Sequence, residues 1–113
     1  MTSALIKNDN EASNRFDYVL SKWRELSGKT TKVGFSNPTY LSEKNTADRN
    51  YALVYFMREI NPGNGKTTGF PENTDIKDVL EFYFQCCSIE MDCYGMSIVA
   101  STFANGGYMS YYW

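Results

Sequence analysis

Leu41 to Phe56 reads LSEKNTADRNYALVYF, and the reading of this stretch decides the fold class. It sets a carboxylate, Glu43, seven residues before a carboxamide, Asn50. Two α-helical turns take about 7.2 residues, so a helix reaching back to Glu43 would aim both groups the same way. Thr46 is a good N-cap residue, and Asp48 suits the first turn, where the helix dipole favours negative charge. A dense apolar run from Tyr51 to Phe56 follows. The stretch therefore predicts a buried helix over about Thr46 to Ile60, with a polar pair at its start.

Working outward, most of the chain reads as helix. From Asn14 to Ser27 the apolar residues Phe16, Val19, Leu20, Trp23 and Leu26 fall on one helical face, and Gly28 is a natural stop. Arg15, Lys22, Arg24 and Glu25 form the opposite face, expected to be solvated. Thr2 to Lys7 reads as the tail of another helix. Lys29 to Tyr40 reads as a loop broken at Asn37-Pro38, and Asn61 to Gly69 as a second loop. A further helix is expected from a cap at Asn73 or Thr74, with Asp75 and Asp78 in its first turns, through Phe82, Tyr83 and Phe84 to about Cys87. The last, capped by Ser88 or Asp92, ends at Asn105-Gly106-Gly107. No strand pattern is evident.

That last helix carries Met96, Ile98, Val99, Ala100, Phe103 and Ala104 around its whole circumference. Such a helix is expected inside a larger core. Tyr108 to Trp113 is an aromatic tail ill-suited to solvent. Both features lead us to expect that the chain is a piece of a bigger domain.

Composition removes several functions. The chain has 113 residues, a net charge of −2 and no histidine. No basic field invites nucleic acid, and no apolar run approaches the ~20 residues that span a bilayer. Without histidine, a Ser-His-Asp triad, a Cys-His pair and a histidine metal site are excluded within these residues. Cys86, Cys87 and Cys93 are an odd, clustered set, expected as free structural thiols in a reducing compartment. Neither a metal nor a cofactor is expected. Gly65-Lys66-Thr67 resembles the end of a phosphate loop, but the glycine required five residues earlier is replaced by Ile60. No serine is followed three residues later by lysine, so no Ser-x-x-Lys nucleophile is present. Glu43, Asn50 and Tyr83 could each be ordinary: a cap or water-facing group for the first two, core with a tethered hydroxyl for Tyr83.

Blocks of residues in order alter that balance. Ser42-Glu43-Lys44, Asp48-Arg49-Asn50-Tyr51-Ala52, Phe82-Tyr83-Phe84-Gln85, Cys87-Ser88-Ile89-Glu90 and Ala104-Asn105-Gly106-Gly107 resemble the glutaminase family, the animal kidney and liver types most of all. Phe16-Asp17-Tyr18-Val19 and Val33-Gly34-Phe35-Ser36-Asn37 fit the same family. The resemblance runs from about Thr2 to Gly107; residues 108–113 leave the pattern, and the 61–69 loop is longer than in most relatives.

The resemblance implies a mainly α-helical portion, four to five helices, of an α+β domain like the serine β-lactamases and penicillin-binding proteins. It implies hydrolysis of L-glutamine to L-glutamate and ammonia through a serine acyl-enzyme. It implies that Glu43 meets the substrate α-ammonium, and that Asn50 and Tyr83 donate hydrogen bonds to the α-carboxylate or nearby oxygens. It further implies a homo-oligomer, dimer or tetramer, with L-glutamine as ligand, and an intracellular, mitochondrial location. The Ser-x-x-Lys motif is expected outside residues 1–113, so these residues alone are expected to be inactive. The alternative is a non-catalytic isoform that joins full-length glutaminase subunits and alters their assembly.

Overall fold

A helical spine that buries Ile76, Leu80, Phe82 and Phe84 organises the molecule. The computed structural model describes residues 12–28, 32–59, 70 and 74–108. In chain order these form α1 (Ala12–Leu26), β1 (Val33–Phe35), α2 (Asn37–Asn45), α3 (Asp48–Glu59), α4 (Ile76–Cys87), β2 (Ile89–Met91) and α5 (Cys93–Ala104). Helix α4 is the spine. Ile76, Leu80 and Phe84 recur every four residues and make one stripe. They are buried with Ala47, Val54 and Phe70, and Tyr40, Tyr51, Met57 and Val79 pack around them. Phe82 faces the other way and is 2% exposed. Helix α4 accordingly packs against α1 on one side and against α2 and α3 on the other.

The ends of α4 are chemically defined. Asp75 is its N-cap and accepts from the Lys77 N–H at 2.8 Å. Ser88 closes it, with its hydroxyl donating to the Phe84 carbonyl at 2.7 Å. The chain then turns directly into β2. Strands β1 and β2 pair antiparallel, Val33 opposite Met91 and Phe35 opposite Ile89. The Ser36 N–H donates to the Ser88 carbonyl at 2.9 Å and continues the pairing by one step. Asp92 then caps α5, accepting from the Gly95 N–H at 2.7 Å.

Several expectations are corrected here. The quoted stretch is two helices. Asn37-Pro38 starts α2 instead of breaking the chain: Ser36 is the N-cap and accepts from the Thr39 N–H at 3.3 Å. Proline suits a first turn because its missing N–H has no helical partner there. Thr46 closes α2 instead of opening α3, its N–H and hydroxyl both reaching the Ser42 carbonyl, at 3.1 and 2.9 Å. Buried Ala47 forms the corner, and α3 begins at Asp48. The absence of strands is also overturned. Two three-residue strands are too short to show an alternation. The cap of α4 is Asp75 instead of Asn73 or Thr74, and Ser88 ends α4 while Asp92 alone starts α5. Arg15 is not simply solvated; its guanidinium lies 5.4 Å from the Phe82 ring centroid.

Other expectations match. Helix α1 ends where Gly28 adopts φ +81°, and α5 ends at Asn105, with Gly106 and Gly107 also at positive φ. Val99 and Thr102 of α5 are buried, while Tyr94, Met96 and Phe103 are exposed. Thr2 to Lys7, the loop at 61–69 with Gly65-Lys66-Thr67, and residues 109–113 lie outside the described residues. Among the described residues, no helix is long and apolar enough to cross a membrane.

Candidate functional site

The three candidate residues come from three helices. Glu43 lies in the last turns of α2, Asn50 in the first turn of α3, and Tyr83 near the end of α4. Glu43 and Asn50 are half-buried, and Tyr83 is exposed. The corner at Thr46-Ala47 separates Glu43 from Asn50, so their seven-residue spacing is not two turns of one helix. Their common direction cannot rest on that spacing.

The structure does bring Glu43 toward Tyr83, because α2 packs on α4. The Tyr83 hydroxyl is held above its ordinary pKa, first by its hydrogen-bonding and electrostatic interaction with Cys87 one turn on, then by burial and by the negative charge of Glu43. Tyr83 is therefore a protonated donor at neutral pH. Among the described residues, neither Glu43 nor Asn50 has an ion pair or a side-chain hydrogen bond. A half-buried carboxylate without a cation beside a phenol donor is suited to a ligand with an ammonium group and further oxygens.

A second cluster, not singled out from the sequence, joins the same two helices. Both oxygens of Glu81 on α4 are engaged by α2. The Tyr40 hydroxyl donates to Oε2, and the Lys44 ammonium meets Oε1 at 2.7 Å. Lys44 also lies 5.2 Å from the Tyr40 ring centroid and donates to its hydroxyl at 3.4 Å. Lys44 and Tyr40 together hold the Glu81 carboxyl below the usual carboxylate range, Lys44 having the larger effect. Glu81 in turn raises both Lys44 and Tyr40. Tyr40 and Lys44 are four residues apart, a spacing that signals a shared face only once α2 is known to be a helix.

The described cysteines are all free. Burial, and then the neighbouring Cys87, push the Cys86 thiol up to about 11. Among the described residues, no group of three or more acidic, histidine or cysteine side chains could hold a metal ion.

Comparison with known proteins places the chain in a family. The glutaminase family model matches residues 1–112. Putative glutaminase 2 of Caenorhabditis elegans is 46% identical over 106 residues, which cover 93% of this chain and 16% of that protein. The mitochondrial liver isoform of glutaminase from Rattus norvegicus is 41% identical over 107 residues, 95% of this chain and 16% of that protein. Glutaminase 2 of Clostridium perfringens is 35% identical over 107 residues, and there the match covers 32% of the relative. The chain belongs to the glutaminase family. It spans well under half of the length of each of these relatives.

Proposed function

We propose that this chain supplies the amino-acid-recognising wall of a glutamine-hydrolysing catalytic domain. Glu43 binds the α-ammonium of L-glutamine. Asn50 and Tyr83 donate to the α-carboxylate or nearby oxygens. The observation that carries this is the Glu43 carboxylate, left without a cation on a half-buried face while the adjacent Lys44 is already paired to Glu81. A charge-assisted hydrogen bond from a ligand ammonium would complete it. A side-chain amide in a peptide has no free ammonium or carboxylate, so such a wall selects the free amino acid.

The reaction is the family's hydrolysis of the side-chain amide to glutamate and ammonia through a serine acyl-enzyme. No residue of this chain is assigned the nucleophile or base, because no Ser-x-x-Lys occurs in it. These residues hold part of the binding site and do not cut glutamine by themselves. Residues 2–107 belong to a β-lactamase-like catalytic domain, active as a homo-oligomer, with residues 108–113 as a divergent tail. The name of the rat relative supports a mitochondrial setting.

In a complete glutaminase carrying this segment, Glu43→Gln should raise the KM for glutamine by at least about ten-fold, through loss of the charge-assisted bond. Unchanged KM would remove Glu43 from the site.

A second reading has its own support. Leu53 and Phe56 on α3 are both 60% exposed, an apolar surface that could seat on a full-length glutaminase subunit. In that reading the chain is a non-catalytic partner that alters assembly. It predicts co-purification with a tagged full-length subunit at micromolar concentration, and no association there would reject it.

A further inference from the structure

Helix α2 is nine residues long and has no buried side chain. Hydrophobic packing alone therefore fixes its position weakly. Of its residues, Tyr40 packs partly against the core. Yet α2 carries Glu43, whose usefulness depends on where it stands relative to Tyr83 of α4.

We propose that Tyr40, Lys44 and Glu81 form a positioning clamp for the ammonium-binding carboxylate, an inference that rests on the role given to Glu43 above. Three observations carry it. Glu81 offers its two oxygens to two different side chains of α2, so both the height and the rotation of α2 on α4 are constrained. Tyr40, Glu43 and Lys44 stand at i, i+3 and i+4, which puts them on one face of α2. Holding Tyr40 and Lys44 therefore also holds Glu43. Finally, the clamp occupies the ammonium of Lys44. That charge is the immediate sequence neighbour of Glu43; paired to Glu81, it does not compete with the ligand ammonium for the Glu43 carboxylate.

Lys44 and Glu81 are 39% and 40% exposed, so the pair contributes little to global stability. Its effect is expected in ligand recognition instead. The discriminating experiment uses a complete glutaminase carrying this segment and two substrates, L-glutamine and glutaramate, which is glutamine without its α-amino group. Glu81→Gln should raise the KM for glutamine about ten-fold and leave kcat within about two-fold. It should leave kcat/KM for glutaramate within about two-fold, since that substrate has no ammonium for Glu43 to meet. The charge-reversed double variant, Lys44→Glu with Glu81→Lys, should recover most of the loss. Equal losses on both substrates, or no loss on either, would overturn the clamp. Glu43→Gln is run alongside. If it weakens glutamine while Glu81→Gln does not, the clamp fails and the recognition role stands. If Glu43→Gln has no effect, the recognition role itself fails.

Discussion

Cys86 and Cys87 are adjacent in sequence but differ in chemistry because Cys86 is partly buried and Cys87 is exposed. Only thiolate reacts readily with alkylating agents. With its pKa pushed up to about 11 by burial, Cys86 is almost wholly protonated at pH 8. Cys87 and Cys93 are exposed. Iodoacetamide at pH 8 should therefore modify Cys87 and Cys93 first, and Cys86 should catch up only as the pH approaches 11; peptide mass mapping against time would show it. Equal labelling of Cys86 at pH 8 would contradict the assigned burial. The linkage sign follows from the same shift. The folded state holds the Cys86 proton more tightly than the unfolded state, whose thiol titrates near 9. The stability contributed by Cys86 is thus fully present below pH 9 and is lost between about pH 9 and 11. Glu81 has the opposite sign. Its folded pKa is lowered by Lys44 and Tyr40, so its contribution is present above the ordinary carboxylate range and fades as the pH falls through and below it.

Among the elements, α4 is the one that cannot be weakened without loss of the whole. Phe84 is 1% exposed and Leu80 is 3% exposed, and they connect α2 and α3 to the same core. Phe84→Ala should cost about 3–5 kcal/mol, from lost transfer energy and the cavity left behind. A thermal melt followed by circular dichroism would register this as a lowered midpoint or as no cooperative transition; an unchanged midpoint would mean that the stripe is not the core. Helix α4 was legible in the sequence because capping residues and first-turn acids, Asp75 and Asp78, precede the apolar run that ends at Phe84. Helix α1 was legible from the helical spacing of its apolar face, and the ends of both α1 and α5 from their glycines. Helix α2 was not legible. Ser36-Asn37-Pro38 serves equally as a turn or as a cap followed by a first-turn proline, and only packing on α4 decides between them. The strands were hidden for a related reason: Val33 to Phe35 gains its structure from Ile89 to Met91, more than fifty residues away. Of the site, Glu43, Asn50 and Tyr83 were reached through ordered motif blocks, while the spacing argument for Glu43 and Asn50 failed at the Thr46-Ala47 corner. The Tyr40–Lys44–Glu81 cluster was invisible because its members meet across forty residues of chain.

For the molecule as a whole, the described surface combines the proposed recognition face with apolar residues displayed elsewhere. On α3, Leu53 and Phe56 are three residues apart, on the same side of the helix, and Tyr55 is also exposed. On α5, Tyr94, Met96 and Phe103 are exposed. Full burial of a Leu or Phe side chain is worth about 1.5–3 kcal/mol, so covering Leu53 and Phe56 alone is a substantial drive to associate. The net charge of −2 is too small to oppose contact between copies. Val54, which belongs to the core, faces away from this pair, so charging Leu53 and Phe56 should not disturb the fold. The double variant Leu53→Lys with Phe56→Lys should therefore keep its helical circular dichroism while shifting the chain toward monomer in size-exclusion chromatography with light scattering. The same variant should lose co-purification with a full-length glutaminase subunit if that subunit seats on α3. An unchanged mass distribution would place the associating surface off α3. Repeating the measurement with Phe103→Lys would then ask whether the exposed residues of α5 supply it.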